Sequence, residues 1–199
     1  MARYHSSNLQ KYRNPNPIQR WMISRFYNAI TEMIRKIGAN SLLDAGCGEG
    51  LSIQKLNRNA QIPLVFGIDL SFLAIQLAKK INTQSAFIQS SVLNLPFKNE
   101  SFNVVICLEV LEHLEKPEQS LREILRVSDR FILLSVPNEP YFRIANFLRG
   151  KNLSRLGNDI GHIQYWSASD FIKFIGQHSQ VLFWRTSFPW TIALCKKIF

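Results

Sequence analysis

The stretch Leu42-Leu43-Asp44-Ala45-Gly46-Cys47-Gly48-Glu49-Gly50 constrains the fold more than any other part of the chain. A short apolar run ends in an acid, glycines then alternate with other residues, and a helical pattern follows. Glycine lacks a Cβ, so it reaches backbone angles closed to other residues and lets a ligand come close to the main chain. A strand feeding a tight glycine turn that opens a helix forms a cradle for a nucleotide-like ligand at the strand's carboxyl end. Taken alone, the pattern also fits a plain strand-to-helix turn. The next apolar run, Leu64-Val65-Phe66-Gly67-Ile68-Asp69, reads as a second strand ending in an acid. Asp69 lies about twenty residues past the glycines, the spacing at which an acid reaches the ribose hydroxyls of a bound nucleoside.

The rest of the chain extends this βαβ unit. Asn16-Pro17 reads as a helix cap followed by a first-turn proline. Ile18, Met22, Phe26, Ile30, Met33 and Ile37 recur at helical spacing until Gly38. This amphipathic helix packs on a sheet, covers the ligand as a lid, or meets a membrane surface through Trp21 and Tyr27. Strands are expected at Ser41–Asp44, Leu64–Asp69, Ala86–Gln89, Phe102–Leu108 and Phe131–Val136. The run 102–108 is apolar almost throughout, as a central parallel strand buried on both faces should be. Helices are expected at 49–57, from Ser71 with Leu73, Leu77 and Ile81 inward, and from Pro117 to about Arg126. Another starts at Ser167-Ala168-Ser169-Asp170 and runs to Ile175. Two closing strands, Val181–Thr186 and Thr191–Lys196, flank Ser187-Phe188-Pro189-Trp190. Strands alternating with helices specify an open α/β sheet.

Composition narrows the function classes. Hydrophobic residues make up 46% of the 199, which argues against disorder. No run approaches the ~18 apolar residues of a membrane span. Residues 1–7 have no apolar signal core, and Cys47, Cys107 and Cys195 stand far apart without metal spacing, so reduced thiols in a cytoplasm are expected. The net charge of +10 is unevenly placed. Residues 1–40 hold seven bases and one acid, residues 141–199 eight bases and two acids, and the middle nine bases and eleven acids. A near-neutral core between basic flanks suits contact with a nucleic acid, an anionic lipid surface or a phosphorylated substrate, and equally serves solubility.

The ordered motifs resemble class I S-adenosylmethionine (SAM) methyltransferases. Asp44-Ala45-Gly46-Cys47-Gly48-Glu49-Gly50 is similar to the family's first motif, and Gly67-Ile68-Asp69-Leu70-Ser71 to its second-strand motif. Leu95-Pro96-Phe97 with Ser101-Phe102-Asn103-Val104-Val105 is similar to its "LPF…SFDVV" block, and Leu108-Glu109-Val110-Leu111-Glu112-His113-Leu114 to its "EVLEHL" helix start. The resemblance spans roughly Ser41 to Val136. It implies one Rossmann-like α/β domain with a seven-stranded, mostly parallel sheet, an antiparallel last strand and helices on both faces. In that frame residues 1–40 form a basic tail and helix, 41–199 the SAM-binding domain, and 137–166 an acceptor-side insertion.

The resemblance also implies roles. Backbone amides of Gly46 and Gly48, with Cys47 between them, would approach the methionine carboxylate of SAM. Asp44 would stand near its amine and Asp69 would accept from the ribose hydroxyls. Leu70, Val92 and Leu108 would border the cofactor. Ser91 stands where family members often carry an acid for the adenine amine, and a hydroxyl can still accept one hydrogen bond there. Glu109, Glu112 and His113, at i, i+3 and i+4, would share one helix face. His113 is the candidate general base, since histidine is the side-chain type most often used for proton transfer near neutral pH. Glu-x-x-Glu-His also resembles the metal-binding helix of quinone O-methyltransferases and of small-RNA 2′-O-methyltransferases. His162 could then join Glu109, Glu112 and His113 around Mg²⁺ or Mn²⁺. Many metal-free relatives share the motif, so a metal is not the favoured reading. Tyr141, Arg143, His162 and Tyr165, among interleaved aromatic and basic residues of 141–166, are placed on the acceptor side, while Trp166 is read as core.

The function expected is methyl transfer to O, N or C of a small-molecule or lipid-linked acceptor. The competing classes are an RNA 2′-O-methyltransferase, a SAM-fold binding protein without activity, and a NAD-dependent oxidoreductase. Against the last, the turn reads G-x-G-x-G where dinucleotide enzymes have G-x-G-x-x-G. The sequence assigns no oligomeric state.

Overall fold

The computed structural model describes residues 15–148, 156–158 and 161–198. The basic tail before residue 15 lies outside the described residues, as do Arg149, Lys151 and Arg155 of the acceptor-side segment.

The elements run α1 (Pro17–Ile37), β1 (Ser41–Ala45), α2 (Leu51–Ala60), β2 (Leu64–Asp69), α3 (Phe72–Ile81), β3 (Ala86–Gln89) and β4 (Phe102–Leu108). A single 3₁₀ turn over Leu111–His113 follows, then α4 (Pro117–Val127), β5 (Ser128–Pro137), α5 (Tyr141–Leu148), α6 (Ala168–Gly176), β6 (Ser179–Ser187) and β7 (Trp190–Lys197). The sheet order is β3-β2-β1-β4-β5-β7-β6. β7 runs antiparallel to both β5 and β6, and the other pairs are parallel. The strand order reverses between β1 and β4, and in open α/β sheets that switch point leaves a crevice at the carboxyl ends. In register, Asp44 lies beside Gly67 of β2 and Ile106 of β4, so the ends of the first, second and fourth strands come together.

α1 starts as its sequence predicts. Asn16 Oδ1 accepts from the amides of Ile18 (2.9 Å) and Gln19 (3.3 Å), and Gly38, at φ +61°, donates to the Arg35 carbonyl. Met22, Phe26, Ile30 and Met33 are buried, whereas Ile18, at the helix start, is exposed. Tyr27 also turns inward, with its hydroxyl 3.0 Å from Ser52 Oγ of α2, so a membrane contact through Tyr27 does not hold. Trp21 does stay exposed, with the Arg25 guanidinium 4.8 Å from its ring centre. No described helix is long and apolar enough to cross a membrane.

The core forms on both faces of the sheet. α1, α2 and α3 cover one face over Leu42, Val104, Ile106 and Leu133. α4 and α6 cover the other over Leu43, Val105, Leu134 and Ala193, with Phe171 and Leu121 fully buried. The inward face of α3 is a correction: Ala74, Ile75 and Ala78 are buried, while Leu73 is exposed and Leu77 and Ile81 are half-buried. Small residues point inward because α3 packs close to α2, where Gly50 faces Ala78 and Asn82. The Asn82 side chain donates to the Gly50 carbonyl at 2.9 Å and pins that approach.

Candidate functional site

The glycine turn joins β1 to α2. Gly46 has φ +88°, and a Cβ there would stand 2.4 Å from Val110 Cγ2. Gly46 and Cys47 both donate their amides to the Ile68 carbonyl at 2.8 Å, and the Gly48 amide donates to Asp69 Oδ2 at 2.9 Å. This corrects the expectation that the Gly46 and Gly48 amides reach toward a ligand: both are bonded within the protein. The turn instead clamps the ends of β1 and β2 together. Asp69 is fixed from two sides, since Oδ1 also accepts the Ser71 amide at 2.8 Å. A carboxylate oxygen has more than one acceptor site, so Asp69 can take further donors.

A cavity of about 520 Å³ opens over these strand ends, within the usual range for small-molecule sites. Gly46, Cys47, Gly48, Asp69, Leu70, Ser91, Val92 and Leu108 all line it, as do Glu109, Glu112, His113 and His162. Asp44 does not; it is buried beneath the turn, and its Oδ2 has no hydrogen-bond partner. Tyr141, Arg143 and Tyr165 also miss the cavity wall, which α5 supplies instead through Phe142 and Asn146. Along α5 the alternation decides this: Asn146 is buried, whereas Tyr141, Ile144 and Phe147 are exposed. Tyr165 turns its hydroxyl onto the His162 carbonyl at 2.9 Å. Trp166 packs against Phe171 and Phe174, with ring centres 5.7 and 5.4 Å away, as a core residue would.

Sequence reasoning passes over several lining residues. Glu49 follows the glycines directly and is buried, and Gln19, Met22 and Phe26 reach the cavity from α1. Trp190 sets its ring centre 4.9 Å from that of Phe26. The signal that could have found Glu49 is its place at the mouth of a helix cradle. No local signal picks out which residues of α1 and β7 face the cavity.

The segment after β4 departs from the expected helix face. Glu109 sits at φ +59°, and only one 3₁₀ turn follows. Its amide donates to the Ser135 carbonyl at 3.1 Å and its Oε1 accepts from the Ser135 hydroxyl at 3.3 Å. Glu109 is therefore drawn toward β5 and does not share a face with Glu112 and His113. Those two meet His162 instead: the nearest ligand atoms of Glu112, His113 and His162 all lie within 4.8 Å of one another. Backbone bonds from Ile163 (2.8 Å) and Gln164 (3.0 Å) to the Glu112 carbonyl hold the later loop against this turn. His113 Nδ1 lies 2.7 Å from the Gly161 carbonyl, and its ring centre lies 5.0 Å from that of His162.

Electrostatics divide the site. Burial pushes the Cys47 and Cys107 thiols up, so neither is a thiolate nucleophile near neutral pH. Burial, and then the Asp69 carboxylate, push Asp44 up to about 8. An aspartate in the unfolded chain titrates near ~4. Between about pH 4 and about pH 8 the folded protein therefore holds a proton that the unfolded chain has released, and stability falls as pH rises through that window. The contribution is at most ~1.4 kcal/mol per pH unit. Urea unfolding of wild type and Asp44→Asn at about pH 5 and about pH 8 checks this, with the variant losing less stability on the alkaline side. Parallel profiles would mean that Asp44 is ionised throughout.

Residues 43–130 match the sequence model of a methyltransferase domain. The mitochondrial ubiquinone biosynthesis O-methyltransferase of Schizosaccharomyces pombe is 29% identical over 140 residues, 64% of this chain and 50% of that protein. Norajmaline N-methyltransferase of Rauvolfia serpentina is 26% identical over 165 residues, 77% of this chain and 56% of that protein. The chain thus spans about half the length of these curated relatives. Among solved structures, magnesium protoporphyrin IX methyltransferase from Synechocystis PCC 6803, with bound S-adenosylhomocysteine, superposes with a TM-score of 0.71 at 21% identity. That likeness covers 97% of this chain and 95% of the other.

Proposed function

The chain belongs to the class I S-adenosylmethionine-dependent methyltransferase family, and from that premise we propose that it transfers a methyl group from SAM to an oxygen or nitrogen of a small or lipid-linked acceptor. One observation carries the reading: Asp69 and His113 line the same cavity, so a nucleoside-binding acid and a base share one chamber. The residues fit the cofactor. Asp69 would take the ribose hydroxyls. Leu70, Ser91 and Val92 would border the adenine, and Leu108 would form the floor. Glu49 faces the cavity and would meet the amino end, with Asp44 beneath it and the backbone of Gly46, Cys47 and Gly48 alongside. SAM supplies an already activated methyl group, so what remains for the protein is to align the acceptor and remove one proton. His113 suits the proton removal, because donation from Nδ1 to the Gly161 carbonyl leaves Nε2 as the nitrogen that accepts a proton. The exposed Tyr141, Ile144 and Phe147 on α5, beside its cavity-facing residues, favour an acceptor with an apolar tail.

A second reading rests on Glu112, His113 and His162. One carboxylate and two imidazoles this close suit a divalent ion such as Mg²⁺ or Mn²⁺, which would acidify an acceptor hydroxyl. Glu109 stands apart from that set.

Titration calorimetry with SAM, S-adenosylhomocysteine and NAD⁺ tests the cofactor, followed by turnover on an acceptor panel with and without EDTA. Binding of the first two but not NAD⁺ is expected. Loss of turnover in EDTA and in Glu112→Gln would establish the metal. Unchanged turnover in both would leave His113 as sole base, and NAD⁺ binding in place of SAM would overturn the proposal.

A further inference from the structure

We infer that the acceptor site takes an uncharged or cationic, apolar-bodied molecule and rejects anionic ones. This rests on the methyl-transfer reading and narrows its substrate class. The chain carries a net charge of +10, yet among the described residues no lysine or arginine lines the cavity. Four acids do: Glu49, Asp69, Glu109 and Glu112, three of them on segments that converge at the switch point, with Asp44 buried just below. A SAM molecule has one net positive charge and occupies the end near Asp69 and Glu49. Glu109 and Glu112 remain on the acceptor side.

Arg20, Arg25 and Arg143 each stand one position from an acceptor-wall residue. The charge of Arg143 acts on Glu139: burial raises that carboxyl, and the Arg143 amide and guanidinium pull it back down. Arg20 and Arg25 lie on the exposed side of α1. A phosphate or carboxylate in the acceptor half would lose its hydration, find no lysine or arginine among the described lining residues and approach Glu109 and Glu112. Desolvation and like-charge repulsion both oppose that. A hydroxyl meets no like-charge repulsion there, and an ammonium meets carboxylates of opposite sign that offset its lost hydration.

The acceptor half is otherwise apolar and aromatic, walled by Met22, Phe26, Phe142 and Trp190. The polar groups that the two flanking helices bring to the cavity are uncharged: the carboxamides of Gln19 of α1 and Asn146 of α5 and the hydroxyl of Tyr27 of α1, all almost fully buried. Asn146 Nδ2 donates to the Gly157 carbonyl at 3.2 Å, which fixes that carboxamide. Such groups orient a neutral polar substituent without selecting a charge. Among the described residues the bases of those flanks stand off the cavity wall, which weighs against the phosphorylated acceptor that the basic flanks suggested.

The experiment compares three probes of one shape, 2-naphthol, 2-naphthylmethylammonium and 2-naphthoate, by calorimetry and by quenching of tryptophan fluorescence. S-adenosylhomocysteine is titrated first. Absence of product binding would count against the cofactor reading alone, and the probes are run both with and without it. The neutral and cationic probes should bind at least about tenfold more tightly than the carboxylate. Gln19→Arg should narrow or invert that ratio by placing a base in the acceptor half. Equal or tighter binding of 2-naphthoate to wild type, or binding of none of the three, overturns the inference whatever the variant does.

Discussion

Asp69→Ala should weaken SAM and S-adenosylhomocysteine binding at least about a hundredfold while leaving the domain folded. Two ribose hydroxyls donating to one carboxylate are charge-assisted bonds, each worth ~1.5–3 kcal/mol, and alanine removes both. The same substitution also frees the Gly48 and Ser71 amides that Asp69 holds at 2.9 and 2.8 Å. The turn that shapes the cavity then loosens, which adds to the loss. Asp69→Asn separates the two effects, because its carbonyl oxygen can keep one of the amides while the charge is gone. Calorimetry should rank the three proteins wild type, asparagine, alanine. Circular dichroism should show native secondary structure for all of them. An alanine variant that binds SAM as wild type does would remove Asp69 from the site.

Gly46→Ala should be the most destabilising single methyl that can be added to the cradle, by about 3 kcal/mol. Two costs add. The φ of +88° is hostile to any L side chain, at ~1–2 kcal/mol, and the new Cβ would stand 2.4 Å from Val110 Cγ2. Restricting the unfolded chain returns only ~0.4–1 kcal/mol. For a protein of this size the melting temperature should fall by about 6–12 °C, at ~2–4 °C per kcal/mol. Val110→Ala in the same chain removes the overlapping methyls. The double variant should therefore be less destabilised than the sum of the singles, recovering the steric part and not the backbone part. Strict additivity in thermal unfolding would show that Val110 is not the obstacle. The position matters for function because Val110 lies between Glu109 and the turn carrying Glu112 and His113.

Much of the fold could be read from the chain. β2 at Leu64–Asp69, β3 at Ala86–Gln89 and β4 at Phe102–Leu108 fall on the apolar runs that predict them. The Asn16 cap, the Gly38 stop and the Ser71 and Ser167 caps appear where their side chains can bond the first free amides. These features are local: each depends on a period of two or 3.6, or on a side chain reaching a backbone group two or three residues away. The β6–β7 hairpin was likewise legible from its turn, although both strands extend a residue or more beyond the expected bounds.

The site was only half legible, and its errors share a cause. Glu109, Glu112 and His113 have helical spacing, but the backbone at Glu109 takes φ +59° because β5 offers Ser135 to its amide and carboxylate. Tyr27 reads as a surface aromatic until Ser52 of the next helix bonds its hydroxyl. Tyr141 and Arg143 each stand one position away from Phe142, which does face the cavity, and one position on a helix is a turn of about 100°.

The sequence by itself determined the order and kind of the elements, the glycine cradle and the acid at the end of β2, because these are written in spacings of a few residues. Only the tertiary structure decided that Asp44 lies beneath the cavity and Glu49 in its wall, that Gln19 and Asn146 face it, and that His162 meets His113 across 49 positions. Those facts depend on which backbone groups find partners in distant strands and how closely the layers pack. No local pattern carries that information, since the competing partners come from opposite ends of the chain.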